Sequence, residues 1–419
     1  RGRIRYEDDD ASEVIKSALN SLTPNRTWKE TVVLKGEFEI KSTIVIPSYT
    51  RIIIDGKLVW KGEGGGRIFQ NEDFSPADPT KPLKYEIEIC GGEIDGGNNV
   101  DETTGCSLHF NRVDGLYIHD VRFHNVIYAV RADYCKNVVI KNNYVGGYTT
   151  EGFLVGHEKI VIDKNRIIRT GDDSIATEVD SEEVIISNNI IYKDTEWSTV
   201  GNRGRCILVD CSKKVIVSGN ILYHGGTSAV EITGREIDTE VHYTKYVKFS
   251  RNHIFNPNKY GIVVLAYSED IDVFENTIYR AQASGILVQN TRYVNVRSNR
   301  VIECNQSNSS EAREQNGITL ENSTYCRVEA NTIYDDQSTP TQQYGIRELG
   351  TSDHNLILRN RLWGNAVGAI AVSGSNTIVK RNVGYPTENS GVATFSGDGS
   401  TTEFRIEHGL VSTPSKYGV

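Results

Sequence analysis

One asparagine closes the same short phrase ten times, at Asn143, Asn165, Asn189, Asn220, Asn252, Asn276, Asn299, Asn331, Asn360 and Asn382. Ahead of it stand alternating apolar residues and two polar ones, as in Val138-Val139-Ile140-Lys141-Asn142-Asn143 and Ile160-Val161-Ile162-Asp163-Lys164-Asn165. The intervals are 22, 24, 31, 32, 24, 23, 32, 29 and 22 residues, a basic period with insertions. A unit this short cannot bury its own apolar face and must stack on its neighbours. Each repeat carries a second small-apolar-x-apolar run, such as Gly152-Phe153, Ser174-Ile175, Cys206-Ile207 and Gly261-Ile262, and no helical period separates the runs. Period-two alternation reads as strands. A leucine-rich repeat would need its Leu spacing and a helical segment, and both are missing. The chain is therefore expected to be all-β, a single-stranded right-handed parallel β-helix of about 11–13 coils with an N-terminal capping helix.

The ends depart from the pattern. Asp10 to Leu19 reads as a capped amphipathic helix, followed by strands over Thr31–Leu34 and Thr43–Pro47. The expected division is an N-terminal cap over 1–36, the β-helix over 37–385, and a C-terminal β segment over 386–419 that begins a small β-domain. A capping helix shields edge strands that would otherwise pair with other chains. Lys+Arg 46 against Asp+Glu 55 gives a net charge of -9, a field that repels phosphate backbones and anionic lipid, so nucleic acid and membrane are not expected as partners. No apolar run approaches the roughly 18 residues of a membrane span. The sequence opens Arg1-Gly2-Arg3 without an apolar signal core, and a secreted or surface location, as monomer or homotrimer, is inferred from the acidic charge and the β-helix body. The seven scattered cysteines read as small buried hydrophobes, with room for one bridge.

Residues one coil apart become surface neighbours, so chemistry is to be sought in columns. Aligning the second strands places Glu151 beside Asp173, then Arg205, Ser228 and Tyr260; farther along the same strands the outward set reads Glu178, Asp210, Glu231, Gln289 and Glu321. Glu151, Asp172 and Asp173 put three carboxylates on adjacent coils about 4.8 Å apart. Like charges at that spacing raise one pKa, and a protonated acid beside a carboxylate is what glycosidic cleavage requires. Insertions at Asp194–Arg205, Thr233–Lys245, Glu303–Gln315 and Asp335–Gln343 would wall a groove over them. Within it Arg205 can meet an acidic sugar, Trp197 and Tyr260 can stack on sugar rings, and His157 flanks the cluster. No zinc signature is present. Glu178, Asp210 and Glu231 could converge on calcium, the one metal the sequence allows for.

Thr149-Thr150-Glu151-Gly152 and, one coil later, Gly171-Asp172-Asp173 resemble the Asn-Thr-Asp-Gly and Gly-Asp-Asp motifs of polygalacturonase-type glycoside hydrolases, within the pectate-lyase-like β-helix superfamily. The resemblance implies a secreted hydrolase with Asp172 or Asp173 as general acid and the other carboxylates positioning or deprotonating water. Where that family carries Gly-His-Gly this chain has Gly201-Asn202-Arg203-Gly204-Arg205, and its Arg-Ile-Lys is replaced by Ala229-Val230-Glu231-Ile232. A neutral glycan is thus as permissible as a uronate. Two other readings remain open: a polysaccharide lyase or uronan epimerase built on Arg205 and the acidic ladder, and a non-catalytic glycan-binding or tail-fibre-like structural β-helix.

Overall fold

The structure, a computed structural model, describes residues 10–63, 66–75, 83–97, 106–178, 180–193, 204–384 and 399–400. It is a right-handed parallel β-helix whose coils each contribute to three parallel sheets. The first sheet holds the segment before each recurring Asn (Glu182–Ser187, Lys213–Ser218, Thr244–Ser250), and the second the triplet after it (Arg166–Ile168, Ile190–Tyr192, Ile221–Tyr223). The third holds the small-apolar run (Ile175–Thr177, Ile207–Asp210, Ser228–Thr233, Tyr260–Val264). Pairing in the third sheet runs unbroken from Ile44–Ile46 to Gly368–Ala371 through thirteen strand segments, the upper end of the expected coil number. Leu108, Val130, Phe153, Ile175, Ile207, Val230 and Ile262 form one inward row of it, all fully buried.

The asparagines form a continuous interior ladder at the corner between the first and second sheets. In one rung, Asn165 Nδ2 donates to Ile140 O (2.9 Å) and Asn189 Oδ1 (3.0 Å), while the Asn165 backbone N–H donates to the same Oδ1 (2.9 Å). Each corner therefore satisfies its buried polar groups through the next coil. The residue before each ladder Asn turns the chain with a positive φ, 55° at Lys164 and Ala330, 54° at Asn188.

At the N-terminus the helix Ala11–Asn20 is capped by Asp10, whose Oδ1 accepts the Ser12 N–H (2.8 Å). It adds Ile15 and Leu19 to the core, and Ser12 Oγ accepts the Lys41 N–H (2.9 Å). The segment 386–419 lies outside the described residues apart from Gly399 and Ser400. Cys90, Cys135, Cys206, Cys211, Cys304 and Cys326 are free and buried, so the bridge the sequence leaves room for is not formed among them. No helix among the described residues is long and apolar enough to cross a membrane.

Candidate active site

Three of the insertions lie between second-sheet and third-sheet strands, at 194–205, 303–315 and 335–343, and the fourth follows a third-sheet strand. The fourth forms the hairpin Arg235–Ile237/Glu240–His242. The described insertions 303–315 and 335–343 thus stand at one edge of the third sheet and the hairpin at the other. Parallel pairing in strict register puts Tyr128 beside Glu151, and the bonds Gly152 N to Asp173 O and Ser174 N to Arg205 O carry the column on through Asp173 to Arg205.

At the centre, Asp173 Oδ1 accepts the Arg205 backbone N–H (2.6 Å), and its Oδ2 lies 3.4 Å from Arg205 Nη1. Arg205 Nη2 reaches Glu231 Oε1 at 2.8 Å. Two coils before Asp173, Arg131 pairs with buried Asp133 (3.0 Å) and faces Glu178 (3.6 Å), and His109 Nε2 lies 2.7 Å from Asp133. Burial, then the charges of Asp173 and Asp172, push the Glu151 carboxyl up to about 8. Burial also pushes Asp173 up to about 6, opposed by Arg205. Glu178 is pushed up to about 7 by burial and by Asp133. The cluster therefore sets a carboxyl pushed up to about 8 at Glu151 beside one pushed up only to about 6 at Asp173, an acid and base split by environment.

Four buried polar atoms in this region lack hydrogen-bond partners among the described residues: Glu151 Oε2, Thr149 Oγ1, Arg205 Nε and Ser228 Oγ. Buried orphans are uncommon, and their gathering along one groove marks where ligand groups would satisfy them. Asp172 stands in the turn before Asp173; its N–H bonds Thr150 O (2.7 Å), and its carboxylate forms no hydrogen bond or ion pair among the described residues. Its carbonyl takes a bond from Lys193, a lysine only 1% exposed.

Gly204 presses on this turn. A Cβ there would stand 2.1 Å from the Asp172 carbonyl carbon. Gly204→Ala is expected to displace the aspartates, cutting activity far more than it lowers the melting temperature; equal activity in a folded variant would show that the turn has no role.

Several sequence expectations need correction. Glu231 is not in the row of Asp210: register pairs it with Leu208 and Val263, and Asp210 with Thr233. The carboxylates of Glu178, Asp210 and Glu231 do not converge, because each is drawn to a different arginine, Arg131, Arg235 (2.6 Å) and Arg205. The only metal-compatible trio among the described residues is Glu88, Cys90 and His119, and there Glu88 already pairs with Lys29 and Arg51. Tyr260 shares the Asp173 column but is no open platform: it is 8% exposed, and its hydroxyl donates to Glu314 Oε1 (3.1 Å) under the 303–315 insertion. His157 sits on the corner leading to the first sheet, where it contacts Tyr134 and Ser181 rather than the carboxylates. Trp197 lies outside the described residues. Arg131, Asp133 and Lys193 were not singled out from sequence.

The family model described as a right handed beta helix region matches residues 93–242 and 198–346. No curated protein sequence matches the chain. Among solved structures, the chain is similar to the mannuronan C-5 epimerase AlgE4 A-module of Azotobacter vinelandii, at 15% identity and a TM-score of 0.53 over 90% of this chain and 98% of the other. It is similar to a DFA-IIIase from Arthrobacter chlorophenolicus, at 15% identity and 0.55 over 85% and 95%. A third is the tailspike protein of E. coli bacteriophage HK620 in complex with a pentasaccharide, at 12% identity and 0.58 over 90% and 78%. At these identities the likeness is one of fold.

Proposed function

The chain belongs to the right-handed β-helix family, and on that premise we propose that it is an extracellular glycoside hydrolase cleaving a polysaccharide laid along the third-sheet groove. The observation that carries the reading is Glu151, half-buried with its Oε2 enclosed and unpartnered among the described residues, its carboxyl pushed up to about 8 one coil from the Asp172–Asp173 pair. Glu151 protonates the leaving glycosidic oxygen. Asp173 is held by Arg205, which leaves the Asp172 carboxylate, unpaired among the described residues, to activate water or attack the anomeric carbon. Two similar structures, the mannuronan C-5 epimerase module and the tailspike protein in complex with a pentasaccharide, support a glycan as the ligand.

The charge pattern favours a neutral glycan. Arg205 is already flanked by Asp173 and Glu231, and Arg131 by Asp133 and Glu178, so a uronate would meet matched cations amid surplus carboxylate. This also weighs against the lyase and epimerase reading, which needs a cation free to neutralise the sugar acid.

The test is the pH–rate profile, expected to be a bell with limbs near the values of the cluster, about 6 and about 8. Below the first Asp173 takes up a proton and loosens the Arg205 contacts that hold the turn carrying Asp172, and above the second Glu151 loses the proton it must donate. A rate still rising above pH 8 would exclude Glu151 as the acid.

A further inference from the structure

Lysine is among the residues least often fully buried, yet Lys193 is 1% exposed and stands among the largest completely enclosed side chains of the molecule. It directly follows the second-sheet strand Ile190–Tyr192. At the equivalent corner of other coils Arg169, His224, Asn256, Arg280, Glu303 and Gly364 take φ between 49° and 69°, a conformation that Lys193 and Asp335 do not share. Its side chain instead lies against the Asp172–Asp173 turn, where Nζ donates to the Asp172 carbonyl. Gly204 packs on the same turn and leaves no room for a Cβ.

We propose that the Lys193 ammonium is a positioning residue for the candidate site: it pins the Asp172 carbonyl and brings a positive charge to the Asp172–Asp173 turn. This rests on the reading of the Asp pair as catalytic. Burial lowers the lysine's pKa, and Cys206, Asp173 and Asp172 oppose that shift. The charged and titratable groups facing Asp173 are Glu151 from the preceding coil, Asp172 from its own turn, Arg205 from the following coil, and Lys193; Cys206 faces Lys193 from the third sheet. Among them Arg205 is shared with Glu231, whereas Lys193 carries no carboxylate ion pair among the described residues. Removing its charge leaves two aspartates and a glutamate against one shared guanidinium, so protonation of Asp173 becomes easier.

The experiment follows Asp173 directly, by carbon NMR of carboxyl-labelled aspartate assigned with Asp173→Asn, in the wild type, Lys193→Met and Lys193→Arg. In Lys193→Met the Asp173 midpoint is expected to move up by about one pH unit or more, and the acid limb of the rate with it, while Lys193→Arg stays near the wild type. An unmoved midpoint in folded Lys193→Met overturns the proposal. Should Lys193→Met not fold, the reciprocal measurement decides: the Lys193 ammonium must titrate at lower pH in Asp173→Asn than in the wild type, and an unchanged lysine overturns it. If the midpoints move as expected but no glycan is cleaved, the electrostatic role stands and the hydrolase reading fails.

Discussion

Glu151→Gln is expected to be more stable than the wild type at pH 8 and to lose roughly a thousandfold of glycan-cleaving activity. The two effects have one cause. A carboxyl ordinarily near 4.5 is pushed up to about 8 in the folded protein, first by burial and then by Asp173 and Asp172. Between those values the folded state binds a proton that the unfolded state does not, so stability falls as pH rises through this window and levels off above it. Gln keeps the shape, has no proton to lose, and escapes the penalty. The gain should be absent near pH 4, grow through pH 6, and reach about 2 to 4 kcal/mol at pH 8. Thermal unfolding of both proteins across that range measures it. A difference independent of pH would mean that Glu151 is an ordinary ionised carboxylate, and its part as proton donor would fall.

The second large effect lies in the ladder. Asn276→Ala removes an amide that donates to Phe249 O and Asn299 Oδ1 and accepts from the backbone and side-chain nitrogens of Asn252, all at 3.0 Å. No water can replace these bonds in a corner where Asn252, Asn276 and Asn299 are at most 1% exposed. Orphaned groups remain on both neighbouring coils, and a loss of about 3 to 5 kcal/mol is expected. Asn382→Ala, at the last rung and 8% exposed, should cost much less. Chemical unfolding of the two variants compares them directly. Equal, small losses would show that the ladder follows from the fold without supporting it.

The body of the molecule was legible in sequence because each coil repeats one solution to one problem, burying a corner amide and an apolar row. The Glu151, Asp173 and Arg205 column was legible for the same reason, since parallel strands in strict register turn sequence offsets into contacts. That rule also exposes the misplacement of Glu231. Counting from Cys206 and Ala229, Glu231 falls opposite Leu208, and the side-chain alternation leaves it one pleat away from Asp210. Tyr260 was hidden because the insertion that covers it has no period and docks through single contacts such as Tyr260 to Glu314. Arg131 and Asp133 precede the first ladder Asn, where the phrase that aligns the coils has not yet begun. Lys193 left no signal at all, because a lysine after a strand ordinarily faces water.

The central claim, that the groove of the third sheet hydrolyses a glycan with Glu151 as acid, is tested most directly by following reducing ends and ultraviolet absorbance together. The protein would be given a panel of neutral and acidic polysaccharides, with Glu151→Gln and Asp172→Asn beside the wild type. The wild type is expected to release new reducing ends from a neutral polysaccharide with no absorbance from a new C=C bond, and each variant to lose both products and turnover. Absorbance on a uronate polymer, or binding by wild type and variants alike with no cleavage of any substrate, would contradict it.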